Sequence, residues 1–154
     1  MHSDSYIPAM REALQLANSA ASDGDVPVGA VVLNADLEVV GRGFNTRERD
    51  GNPMNHAEII AISQAAAQLG SWRLDECTLV VTLEPCTMCA GAAVQARIAG
   101  IVFGAFDAKA GAVGSLWDVV RDRRLPHRVV VTSGVLEQDC SEILSSFFSD
   151  KRKN

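Results

Sequence analysis

Four side chains in this 154-residue chain have the types and spacing for metal-assisted chemistry. His56 and Glu58 flank Ala57, and Cys86 and Cys89 follow in Pro85-Cys86-Thr87-Met88-Cys89. Imidazole nitrogen and thiolate sulfur are donors that zinc prefers. Three protein donors leave the fourth tetrahedral position to water, the composition of a catalytic rather than a structural site. A carboxylate beside that water can carry protons, so the set is equipped for hydrolytic removal of a leaving group from carbon. A closed structural site would need a fourth ligand from His2, His127, Cys77 or Cys140, none of which has a companion at ligand spacing. A redox C-x-x-C would leave His56 and Glu58 without a role.

Two helix starts must position these groups. An Ala-rich run at residues 56–69, stopped by Gly70, predicts a helix opened by His56 and Glu58. A second helix is predicted from Pro85 to about Arg97, with proline in the first turn, where its missing N–H costs nothing. At i and i+3, Cys86 and Cys89 share one helical face and can reach one metal. The positive end of the helix dipole favours their thiolates. Two thiolates, a neutral imidazole and a dication sum to zero charge. That moderates the Lewis acidity of the metal and makes Glu58 more valuable as a separate base.

The remaining elements follow from periodicity. Ser3-Asp4-Ser5 offers a cap, and Ile7, Met10, Leu14, Ala17 and Ala21 form one helical face that ends at Asp23-Gly24. Residues 28–33 and 38–44 read as a hairpin around Asn34-Ala35-Asp36, and residues 46–55 as a polar loop. Further strands are predicted at 78–82, 101–105 and 129–132. A Gly/Ala loop is expected at 106–114, a short helix at 117–121, and a last helix from Leu136 to about Phe148. This order predicts an α/β fold: three layers, α/β/α, around a five-stranded mixed sheet. No repeat, low-complexity tract or linker interrupts it, so residues 1–154 read as a single domain.

Composition bounds the class. Hydrophobic residues at 47% and charged residues at 21% exclude a disordered chain. No apolar run approaches the roughly 18 residues of a transmembrane helix. The start MHSDSYIPAM lacks a basic stretch followed by an apolar run, so the expected compartment is the cytoplasm, with no membrane partner. Cys77 and Cys140 read as ordinary semi-buried thiols. A net charge of −5 argues weakly against a nucleic-acid partner. Arg121, Arg123, Arg124, His127 and Arg128 nevertheless cluster within eight residues, and the tail carries Lys151-Arg152-Lys153.

The H-x-E…P-C-x-x-C pattern is the signature of zinc-dependent nucleobase deaminases. Over nearly its whole length the chain resembles the bacterial tRNA adenosine deaminases. The likeness runs from Asp25-Val26-Pro27-Val28-Gly29-Ala30 through Thr82-Leu83-Glu84-Pro85-Cys86 to the segment from Phe103-Gly104-Ala105 to Gly114-Ser115-Leu116. The metal core alone would identify only the wider cytidine-deaminase-like superfamily; the flanking segments point to the tRNA branch. The resemblance implies one zinc per subunit at His56, Cys86 and Cys89, with Glu58 as proton shuttle. It implies that Asn45 orients the purine, that Val28 and Ala57 line the pocket, and that Asp107 and Lys109 contact the anticodon stem-loop of a tRNA. A homodimer is implied too. The implied reaction converts the wobble adenosine to inosine, with Glu58 moving protons from water to N1 and to the departing amine. Where that family often has an arginine before the aspartate of F-G-A-x-D, this chain has Phe106, an aromatic face suited to stacking on an unpaired base. Three alternatives stay open: a deaminase of free guanine, cytosine or a nucleoside on the same fold, a zinc-stabilised RNA-binding module without activity, and a redox C-x-x-C protein that binds no zinc.

Overall fold

The computed structural model describes residues 2–153. After a 3-10 turn at Ser3–Tyr6 come α1 (Ile7–Ser22), β1 (Gly29–Leu33), β2 (Val39–Phe44), α2 (Arg47–Asp50) and α3 (Ala57–Leu69). They are followed by β3 (Thr78–Leu83), α4 (Thr87–Gln95), β4 (Gly100–Ala105), β5 (Val130–Ser133) and α5 (Glu137–Lys153).

Alternation along the central strands decides where the helices go. Ala30 and Val32 of β1, Leu79 and Val81 of β3, and Ile101 and Phe103 of β4 join one apolar cluster. Val31, Leu33, Val80 and Val102 point to the other. Successive side chains face opposite sides of a strand, so a strand that is apolar at every position needs cover on both faces. Helices α3 and α4 supply Ala57, Ala61, Ala65, Ala90 and Ala93 on the first face. Helices α1 and α5 supply Ala9, Met10, Ala13 and Cys140 on the second. The sheet order is β2-β1-β3-β4-β5, with β1 antiparallel to both neighbours and β3, β4 and β5 parallel. This is the three-layer fold with a five-stranded mixed sheet that the sequence predicts.

Helix α3 lies unusually close to β2. A Cβ added at Gly43 would come within 3.0 Å of the Ala57 carbonyl and the Ala61 nitrogen. Glycine on the strand and alanine on the helix thus let backbone rest on backbone, which fixes where α3 begins. Strand direction changes at β3, and the chain leaving its carboxyl end runs straight into Glu84-Pro85-Cys86. In open α/β sheets ligands bind outside the carboxyl ends of the parallel strands, which is where this turn lies.

Five local expectations need correction. Val28 precedes β1 rather than belonging to it, and the final helix runs five residues further than Phe148, to Lys153. The polar loop contains the single turn α2, whose Glu48 and Arg49 N–H groups donate to the buried Asp25 carboxylate at 2.6 and 3.1 Å. Residues 117–121 are not helical. Gly114 N–H donates to the Trp117 carbonyl, Val119 N–H to Ala112, and the Leu116 and Trp117 N–H groups to Gly111. The Asp118 carboxylate takes the Arg121 N–H and Nε. The Trp117 and Val119 N–H groups are thus committed across the loop and the Arg121 N–H to Asp118, so these three donors do not reach i−4 carbonyls. Cys77 and Cys140 are fully rather than partly buried.

Candidate active site

The two helix starts converge as their sequences require. His56 sits at the N-cap of α3 in extended backbone, and Cys86 occupies the same position on α4. Cys89 lies one turn along α4 and is completely buried. His56 Nδ1 is 3.6 Å from the Cys86 sulfur and 3.4 Å from the Cys89 sulfur. Zn–S bonds of about 2.3 Å and a Zn–N bond of about 2.0–2.1 Å at the tetrahedral angle would set N and S about 3.5 Å apart. The trio therefore fits a tetrahedral zinc, and both helix dipoles present their positive ends to it. No other group of three potential ligands this close occurs among the described residues.

Electrostatics within the trio point the same way. The Cys86 thiol is lowered to about 4, first by the hydrogen bond from Cys89 and then, against burial, by His56. Cys89 is pushed up by that same hydrogen bond and by burial. His56 is raised, chiefly by its bond to Cys86. A thiolate thus shares protons with a thiol and an imidazole, and a divalent cation displaces such protons when it binds.

Glu58 stands in the first turn of α3, only 4% exposed. Burial lifts its carboxyl to about 7. It faces a cavity of about 160 Å³ that it lines together with His56, Cys86, Ala57, Val28 and Asn45. That is smaller than the roughly 300–1,000 Å³ of sites that enclose a drug-sized ligand, so it suits one ring system rather than a whole nucleotide.

Two loops close the cavity, each pinned by a buried acid. On one side Asn45 Nδ2 donates to the Val26 carbonyl and its Oδ1 accepts the Arg47 N–H, both at 3.2 Å. One N–H and one lone pair of that amide are left for a ligand. On the other side Asp107 accepts the N–H groups of Lys109 and Ala110 at 3.0 and 3.1 Å. Its own N–H donates to Glu84. Burial pushes the Glu84 carboxyl up, but the Ser115 hydroxyl and the N–H groups of Asp107, Ser115 and Val113 outweigh it and hold the pKa below the usual range.

Of the residues singled out from sequence, His56, Glu58, Cys86, Asn45, Val28, Ala57 and Asp107 all line this cavity. Cys89 is fully buried and does not line it. Lys109 does not line it; it borders an adjoining apolar groove with Phe106, Leu144 and Phe148. Sequence reasoning missed Val26, Arg47, Leu83, Glu84 and Ala110. Glu84 alone had a signal, an acid immediately ahead of P-C-x-x-C in an otherwise apolar strand end. Among the basic residues, Arg121 and Arg124 are paired with Asp118 and Asp122 at 2.8 and 2.6 Å. The Lys153 side chain lies outside the described residues.

Comparison with known proteins agrees with this geometry. Residues 3–105 match the family model for the cytidine and deoxycytidylate deaminase zinc-binding region. The chain is 47% identical over 145 residues to the tRNA-specific adenosine deaminase of Bacillus subtilis (strain 168), covering 94% of this chain and 89% of that one. A structure from work on A-to-I editing by deaminases at the wobble position of transfer RNA superposes with a TM-score of 0.83. It shows 41% identity and covers 88% of this chain and 97% of that one. A guanine deaminase from Nitrosomonas europaea gives a TM-score of 0.77 at 25% identity over 91% of this chain and 82% of its own. With the His/Cys/Cys trio, the neighbouring glutamate and a family match over two thirds of its length, the chain belongs to the cytidine and deoxycytidylate deaminase family.

Proposed function

We propose that this chain hydrolyses the wobble adenosine of a tRNA anticodon to inosine, with one zinc per subunit held by His56, Cys86 and Cys89. The observation that carries the reading is Glu58, buried beside the His/Cys/Cys trio in a cavity sized for a single ring system. The tRNA assignment draws on the 47% identity to the Bacillus subtilis enzyme. Bound zinc supplies a Lewis acid that makes a water molecule acidic enough to react near neutral pH. Glu58 takes a proton from that water and delivers it to N1 of adenine as the oxygen bonds to C6. It then carries the second proton to the exocyclic amine, the C6–N bond breaks, and ammonia leaves. Asn45 orients the ring with the N–H and lone pair it has spare. Ala57 and Val28 exclude water from its faces, and Asp107 and Lys109 meet the flanking RNA. An unpaired loop base is the natural substrate, because C6 is shielded in a stacked duplex.

We propose further that residues 1–154 act as one deaminase domain, that two copies associate, and that the enzyme works in the cytoplasm alongside its tRNA. Two apolar clusters built on one shared sheet support the first. Exposed Met54, Trp72 and Trp117 offer apolar surface for the second, which light scattering would check. No helix among the described residues is long and apolar enough to cross a membrane. The deciding experiment incubates purified zinc-loaded protein with a tRNA pool and sequences it for adenosine read as guanosine. Free guanine and free adenosine run in parallel. Faster release of ammonia from either, with no edited tRNA, would favour the free-purine reading that the Nitrosomonas europaea guanine deaminase brings to mind.

A further inference from the structure

The proposed reaction gives the buried Glu84 carboxylate no task. Glu84 is 2% exposed at the end of β3, two residues before Cys86. One of its oxygens accepts the Asp107 N–H at 3.0 Å and the Ser115 hydroxyl. The other accepts the N–H groups of Val113 and Ser115, each at 3.0 Å. Beside it, the Ala112 N–H donates to the Pro85 carbonyl at 2.8 Å. The loop comes as near as backbone can. A Cβ added at Gly111 would lie within 3.0 Å of both the Glu84 carboxyl and the Asp107 carbonyl.

A buried charge is costly unless every lone pair finds a donor, and an apolar side chain of that size would fill the same space more cheaply. The arrangement makes sense if the loop's position matters. That loop brings Asp107 and Ala110 to the cavity wall, while the strand end it is tied to runs directly into Cys86. We propose that Glu84 is a positioning residue. It holds residues 107–115 at a fixed distance from the metal-ligand helix, and so sets how tightly substrate is bound rather than how fast the bond breaks. This rests on the reading of the cavity given above.

Glu84→Gln is the sharpest test. It keeps the shape but replaces one acceptor oxygen with an NH₂ that faces N–H donors. The measurements, on the zinc-loaded full chain, are KM and kcat for an anticodon stem-loop, zinc per chain, melting temperature, and amide hydrogen exchange at Asp107, Val113 and Ser115. Zinc content is expected to hold, the three amides to exchange faster, and KM to rise on the order of 10-fold, with kcat near wild type. A rise in KM at constant kcat is the mark of lost uniform binding. Ser115→Ala, which removes one donor and leaves three, should shift KM the same way by less, and decides the matter if the glutamine variant does not fold. Gly111→Ala should do the same by crowding an intact carboxylate. A fall in melting temperature or active fraction with KM unchanged would overturn the idea, as would a raised KM with the three amides still protected. If wild type does not edit the stem-loop at all, the functional reading falls, and the amide exchange still judges the positioning.

Discussion

At the residue scale the proposed roles of Glu58 and of the three candidate ligands are distinct, and each can be removed separately. Glu58→Ala should keep one zinc per chain and bind the stem-loop, yet lose turnover by roughly 10²–10⁴-fold, the usual worth of a general acid/base. Elemental analysis beside single-turnover kinetics checks both parts. The thiols give a second outcome. After chelation, Cys86, lowered to about 4, is a thiolate across the neutral range and should alkylate first at pH 6. Cys140, raised by burial to about 12, should resist until the protein unfolds. Peptide mapping of the alkylated protein checks the order. That these four side chains come together was legible in the sequence, because zinc binding and proton transfer call for particular side chains at particular spacing. Glu84 was visible as an acid ahead of P-C-x-x-C but its role was not, since that lies in which backbone N–H groups it meets across a loop, and spacing does not report that. Lys109 was legible as a cation near the site, but its place outside the cavity depends on how the Asp107 turn points it.

At the scale of elements, β1, β3 and β4 could be read almost to the residue, since a strand buried on both faces shows as an uninterrupted apolar run. The failure at 117–121 has the opposite cause. Local propensity was overruled by donors committed to partners across the loop. The contact of α3 with β2 offers the clearest test of how elements position chemistry. Gly43→Ala puts a methyl group against the Ala57 carbonyl and the Ala61 nitrogen, neither of which can move without shifting the start of α3. Overpacking of this kind costs about 1–3 kcal/mol. Thermal melts should show that loss, together with weaker zinc retention under a competing chelator, because His56 caps the displaced helix.

Over the whole molecule, a net charge of −5 must be reconciled with an RNA substrate. Affinity for the stem-loop is expected to fall as salt rises. Each cation that contacts a phosphate adds roughly 0.7–0.9 to the slope of log K against log salt. Lys109→Ala should remove about one such step. Arg121→Ala and Arg124→Ala should change the slope less, because each guanidinium already faces its own aspartate. Titrations at four or five salt concentrations distinguish them. The layout of the chain carries one more consequence. All three ligands and Glu58 come from residues 56–89, and the family-defining stretch ends at residue 105. The wall that Glu84 anchors begins two residues later, at Asp107. The proposed reacting groups and one wall of the cavity therefore lie on separate lengths of chain, tied together at one buried acid, while Asn45, Val28 and Ala57 stay on the first. Changes confined to residues 107–115 would reshape that one wall and leave the candidate ligands and Glu58 in place.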